Sequence, residues 1–233
     1  MKGLDLSAIL FNPQYGEMLV HGLKMTFVVA AGSWLLAMSL AVVLVVIRLA
    51  PSRVADWAVG AYVSYHRNVP TLVQLMLWYF GISSLLPGAV QDWLNNHNAE
   101  AAFAIISLGL CQAAYFSEDL RSGLRSVPPG QAEAARALGH SYLGAMRNVL
   151  MPQAVRNALP ALVNHTVSLF KNSSLAMAIG VTELTHAVKE VESQSFRTFE
   201  TYFIATVIYL AFSLLLMAIG AWLDRRTALA GAR

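Results

Sequence analysis

Charge is what this sequence has least of. Asp, Glu, Lys and Arg make up 12% of its 233 residues, about half the share found in soluble domains. With 57% hydrophobic residues and a mean hydropathy of +0.54, a water-soluble globule is excluded. Cysteine is nearly absent too: Cys111 stands alone, so no internal disulfide forms, and no Cys/His cluster has zinc or haem spacing. The six histidines show no metal-ligand pairing. Ser117 with His165 is the one nucleophile and base combination available, too little for an intramembrane protease, so no catalysis is expected of this chain. A spanning helix takes about 20 apolar residues, which leaves room for roughly five or six spans and no separate soluble domain of ordinary size. Any such domain belongs on another chain.

What is present is a series of apolar runs. Leu23 to Ile47 is longer than the ~7–15-residue core of a cleaved signal peptide and reads as a retained first span. Pro51 ends it, and Val54 to His66, with Trp57, Tyr62 and Tyr65 among its charges, reads as a short helix lying in the membrane interface. Pro70–Leu86, Ala101–Ser117, Ala158–Val181 and Tyr202–Leu223 supply four more spans. The fourth is interrupted by Pro160, Lys171 and Asn172. Between Ser126 and Arg147, Pro128-Pro129-Gly130 breaks the chain and Gln131–Leu138 reads as a short Ala-rich helix. The fold class is all-α: a polytopic membrane protein of about five transmembrane helices. Trp34, Trp57, Trp78, Trp93 and Trp222 are candidate interfacial anchors, with core packing open for Trp34 and Trp78.

The basic residues set the topology. Arg48, Arg53, Arg67, Arg121, Arg125, Arg136, Arg147, Arg156, Arg225, Arg226 and Arg233 fall on one side. The opposite connections, 87–100 and 182–200, carry mostly Asp and Glu. The positive-inside rule then predicts an external N-terminus and a cytoplasmic C-terminus and Ala-rich helix. The net charge of +3 reflects these loops, and nucleic acid is not an expected partner.

The stretch E-A-A-R-A-L-G, Glu133 to Gly139, is followed after nine residues by V-L-M-P, Val149 to Pro152. This resembles the EAA loop of permease subunits of ATP-binding-cassette importers: Glu133, Ala134, Ala135, Gly139 and Pro152 match, and Val149 and Met151 replace Ile and Leu. Tyr65–Leu75, Ala114–Glu118, Arg121–Gln131 and Leu169–Leu175 extend the resemblance to the histidine, glutamine, arginine and glutamate/aspartate permeases, over roughly residues 20 to 226. The resemblance implies the type I permease architecture, with residues 1–233 as one transmembrane domain and 126–152 as its cytoplasmic coupling loop. It also implies a bacterial inner-membrane location, a second permease subunit, identical or paralogous, and a periplasmic or extracellular amino acid binding protein. ATP and Mg would reside on a separate ATPase, with no cofactor on this chain. F-K-N-S-S and Y-H-R-N-V-P resemble the glutamate/aspartate branch more than the arginine one. The competing class is a nucleotide-independent transporter or channel, disfavoured because no inverted repeat is visible.

The residues alone give Glu133 a charge for a basic groove, Ala134 and Ala135 little bulk for close seating, and Gly139 a sharp exit. At membrane depth Lys171 needs a wet cavity or an anionic partner. Two readings stay open for it. It neutralises a substrate carboxylate with Asn172 and Ser173 at a locally unwound turn, or it snorkels or pairs with Glu118. Glu118 either holds a substrate ammonium or is an end-cap charge. Thr71 and Gln74 follow the break at Pro70, and Asn164 lies two turns before Lys171. His165 is read as a buried hydrogen-bonded histidine and set aside.

Overall fold

The computed structural model describes residues 5–227, and the predicted basic residue Arg233 lies outside them. The described residues are helical and contain no strand. After a short α1 (Ser7–Leu10), α2 runs over Pro13–Leu49, roughly 55 Å at 1.5 Å per residue. Asn12 accepts the Gln14 amide at its start and Pro13 occupies its first turn. Its buried stripe is Gly22, Thr26, Val29, Ser33, Ala37, Ala41 and Leu44, mostly small residues, which lets neighbouring backbones come close. The other faces are large apolar side chains open to the surroundings, Val28, Leu35, Val42 and Val46 among them.

α3 (Arg53–Asn68), capped by Ser52, does not lie flat in the interface as its composition predicts. It climbs back along the last turns of α2 and against α6, with Val59 and Val63 in a core shared with Ala37, Ala41, Ala113 and Phe116. The Tyr62 hydroxyl donates to the Leu110 carbonyl at 2.6 Å. The interfacial reading failed because one face of α3, with Val59, Val63 and the Tyr62 hydroxyl, found protein partners. Arg67 therefore does not sit at the basic end of the bundle: its guanidinium lies 5.4 Å over the Tyr115 ring, roughly 15 Å from the end of α6.

The chain breaks at Val69-Pro70 and resumes as α4 (Thr71–Met76), a π-helical turn at Leu77–Ile82 and a 3-10 turn at Ser83–Leu85. A short α5 (Gly88–Asn95) leads to α6 (Ala99–Arg125), the most enclosed long helix. Gly109 admits Leu36 of α2, and Gly32 admits Ile105. After α7 (Pro129–Ala137) and α8 (Tyr142–Ala145), a π turn at Met146–Leu150 feeds α9 (Met151–Asn172), which tightens into a 3-10 stretch, Ser173–Ile179. α10 (Leu184–Ser195) and α11 (Thr198–Thr227) complete the chain.

α2, α6 and α11 are long and apolar enough to cross a membrane. The predicted span Ala158–Val181 is α9 with its 3-10 extension, and the predicted span Pro70–Leu86 is α4 with its π and 3-10 continuation. The acidic connections hold two helices, α5 and α10. Leu184, Val188 and Val191 of α10 pack on Leu19 of α2 and Ile204 of α11. Trp57, Trp93 and Trp222 are exposed, whereas Trp34 and Trp78 pack on the core.

Candidate functional site: a polar cavity beside the fourth span

Asp119 meets His165 at 2.6 Å, and Asn157 donates to Ser126 at 2.8 Å. α6 and α9 are therefore antiparallel, and Lys171 stands level with the middle of α6. At that depth α4, α6 and α9 enclose a cavity of about 240 Å³ lined by Thr71, Leu108, Cys111, Gln112, Tyr115, His165, Ser168, Leu169 and Asn172. Its size falls just below the ~300 Å³ at which small-molecule sites begin. Gln112 is 5% exposed, and its side-chain nitrogen has no hydrogen-bond partner among the described residues. A buried amide left unpaired costs ~1–3 kcal/mol, which singles Gln112 out among the residues lining the cavity. Cys111 is committed elsewhere, its thiol 3.6 Å from the His66 carbonyl. The His165 ring faces the cavity while its Nδ1 is held by Asp119, so a donor or acceptor is fixed in orientation there.

Of the residues named from sequence, Thr71 and Asn172 line this cavity. Lys171 and Asn164 are exposed on the adjoining face of α9. Gln153, Asn157, Asn164, Ser168 and Lys171 recur at three- to four-residue or two-turn spacing, a polar stripe along a membrane helix. Three candidates are turned away from it. Gln74 is buried and spends its amide on the His66 and Val69 carbonyls and its oxygen on His66 Nδ1. Ser173 is fully buried and donates to the Phe170 carbonyl at 2.6 Å, as a hydroxyl does where a helix tightens. Glu118 pairs with Arg48 and with Arg121 at 3.2 Å, and Arg48 also lies 3.3 Å from Asp56. Glu118 is held in this ion-pair cluster about two turns before the end of α6, and Lys171 is not its partner.

Sequence reasoning missed Gln112, Tyr115 and Ser168, and it set His165 aside. Gln112 carried a usable signal, an amide in the middle of an apolar run. Tyr115 and Ser168 carried none until α6 and α9 were placed side by side.

At the end of the bundle where α6 finishes, α7 stands out with Glu133 and Ala134 exposed. Ala135 is 3% exposed, which corrects its expected place on the seating surface: it packs beneath the helix. Gly139 takes φ +85°, its amide bonding to the Arg136 carbonyl and that of His140 to the Ala135 carbonyl. This pair of bonds is a Schellman stop, and glycine meets its left-handed requirement without strain. Pro152 stands at the start of α9 directly after the π turn Met146–Leu150, the kind of local irregularity that accommodates a proline within a helical run. Beyond the stop, Leu138, Tyr142 and Leu143 are left open, Leu138 at 83%.

Residues 34–229 match the family model described as "Binding-protein-dependent transport system inner membrane component". The chain belongs to this family of transport permeases. Among its relatives, the arginine transport system permease protein ArtQ of Bacillus subtilis is 33% identical over 96% of this chain and 97% of its own length. The glutamate/aspartate import permease protein GltJ of Escherichia coli K12 is 28% identical over 94% and 91%. A crystal structure of an amino acid ABC transporter with histidines aligns at a TM-score of 0.81 with 28% identity, covering 94% of this chain and 98% of that one. The chain is thus an amino acid ABC permease by family, with the type I permease fold, and the family places it in the inner membrane.

Proposed function

We propose that this permease subunit forms its share of the translocation pathway for an acidic or uncharged polar amino acid, glutamate/aspartate foremost, driven by ATP hydrolysis on a separate chain. The observation that carries this is the unpaired Gln112 amide in a cavity level with the exposed Lys171. An ammonium on the outer surface of one protomer at mid-span is costly against lipid, so this face of α9 belongs against a second permease subunit and a wet pathway. Lys171 then neutralises the substrate carboxylate common to all amino acids, and Asn172, Thr71 and Gln112 orient the rest. No carboxylate is among the lining residues, and Asp119 beside them is engaged by His165. A cationic side chain such as arginine finds no counter-charge here, which favours the acidic branch over the arginine branch. Glu133, Ala134, Gly139 and Pro152 shape the exposed α7 as the seat for the ATPase. A binding protein delivers substrate to the opposite, acidic end, and the termini are oriented with α7 and the C-terminus cytoplasmic.

Competition of labelled glutamate uptake by a panel of unlabelled amino acids tests the substrate class. Aspartate and glutamine should compete and arginine should not. Arginine as the strongest competitor would reverse the assignment.

A further inference from the structure

A second cavity, about 340 Å³, opens between α2, α9 and α11 and is lined by Phe27, Ala30, Ala31, Trp34, Leu35, Thr166, Leu169, Phe170 and Leu216. Its one hydroxyl is spent, since Thr166 accepts the Trp34 indole N–H at 3.0 Å and donates to the Leu162 carbonyl at 2.7 Å. The walls therefore offer no hydrogen bond. Closed apolar cavities of ~150 Å³ take up benzene, and this one is more than twice that size.

Its position on α9 says which surroundings it meets. Thr166, Leu169 and Phe170 each lie two residues from Asn164, Lys171 and Ser168 respectively, about 200° around the helix. The cleft is thus on the opposite side of α9 from the polar stripe, with Leu169 as the wall it shares with the polar cavity. It is continuous with the outer faces of α2 and α11, where Val28, Leu35, Leu214 and Leu215 are more than half exposed, the surface a bilayer covers. On α2, Lys24 is exposed one turn before Phe27, in line with Ala31 and Leu35. It stands at the boundary of the apolar run, at headgroup depth.

We propose that this cleft binds one acyl chain of a bilayer phospholipid, with the phosphate held by Lys24. The pairing matches an apolar slot with a cation at its mouth to a ligand with one long apolar chain and an anion at its end. The lipid fills the space behind α9 and wedges it towards the pathway side.

The test is a titration of the full-length chain in detergent with phosphatidylglycerol brominated on its acyl chains, read by tryptophan emission, with Trp34→Phe used to isolate the Trp34 signal. Trp34 should be quenched saturably by a single phospholipid per chain. Lys24→Ala, on the open surface, should raise the half-saturating concentration severalfold and leave the plateau unchanged. Ala31→Phe, which fills the cleft, should abolish the quenching, while Val46→Phe, about four turns away on the same stripe, should not. Quenching that rises without saturation, or an unchanged titration for Lys24→Ala, would overturn the proposal. Equal quenching by a brominated detergent without phosphate would show an unselective apolar slot and overturn it as well.

Discussion

Gln112 shows how a single side chain separates packing from function. In a helix that serves only as scaffold, exchanging a buried, unpaired amide for an apolar group of similar volume relieves a cost. Gln112→Leu should therefore leave thermal stability in detergent unchanged or raise it, and lower transport at least severalfold. A variant that loses stability and keeps transport would mean that Gln112 is structural. Asn172, which lines the cavity, was legible in the sequence because polar groups inside an apolar run stand out wherever the helix turns, as Lys171 and Asn164 do on the adjoining face. The assignments of Glu118, Gln74 and Ser173 were not, since each depends on a partner distant in sequence or on a local backbone bond. Glu118 is read correctly only with Arg48, seventy residues earlier, brought beside it by the packing of α2 on α6.

Elements were legible where a local signal fixes them. Pro51, Pro70 and Gly139 mark real boundaries, and the Ala-rich segment is the helix α7, whose exposed Glu133 makes it separable from the fold. Glu133→Lys should insert normally and keep its thermal stability, because the side chain packs on nothing, while stimulation of ATP hydrolysis by loaded binding protein in proteoliposomes is lost. Normal stimulation would remove α7 from the coupling role. α10 was less legible, since its acidic composition reads as a loop. Its helix is held by Glu183, fully buried, which accepts the Thr185 and His186 amides at 2.8 and 3.0 Å and the Tyr209 hydroxyl at 2.9 Å. Burial pushes this carboxyl above its ordinary range, and the donors from Thr185, His186 and Tyr209 pull the other way. A raised carboxyl holds its proton longer in the folded chain, so its contribution to stability is greatest at low pH and declines as pH rises from the ordinary carboxylate value through the raised one. Glu183→Ala should remove that slope and lose ~1–2 kcal/mol as a helix start goes uncapped. Melting curves across pH check both, and an unaltered pH dependence would show that another group titrates.

At the scale of the whole molecule, the five predicted spans are helical, and one of them is met by a helix that its composition had laid in the interface. α3 and α4 meet at Pro70 in mid-bundle, a geometry that a window of hydropathy cannot see because the polar residues of α3 are satisfied by α2 and α6. Removing Arg67 leaves Arg48, Arg53, Arg125, Arg225 and Arg226 at the terminal turns of their helices, the set from which the positive-inside rule predicts the orientation. In a Cys111→Ala background, a cysteine at Gln131 should be labelled by an impermeant reagent only from the cytoplasmic side and one at Asn96 only from outside. Labelling of both from the same side would overturn the orientation.

The central claim, a pathway in which Lys171 meets the substrate carboxylate, is tested most directly by Lys171→Met in vesicles holding the permease, its ATPase and its binding protein. A charge-assisted contact of ~1.5–3 kcal/mol is lost, about ten- to over a hundredfold. Labelled amino acid uptake should fall by that factor, with basal ATP hydrolysis and thermal stability unchanged because Glu118 is paired with Arg48. Uptake at the unmodified rate, or uptake that proceeds without ATP, would contradict it.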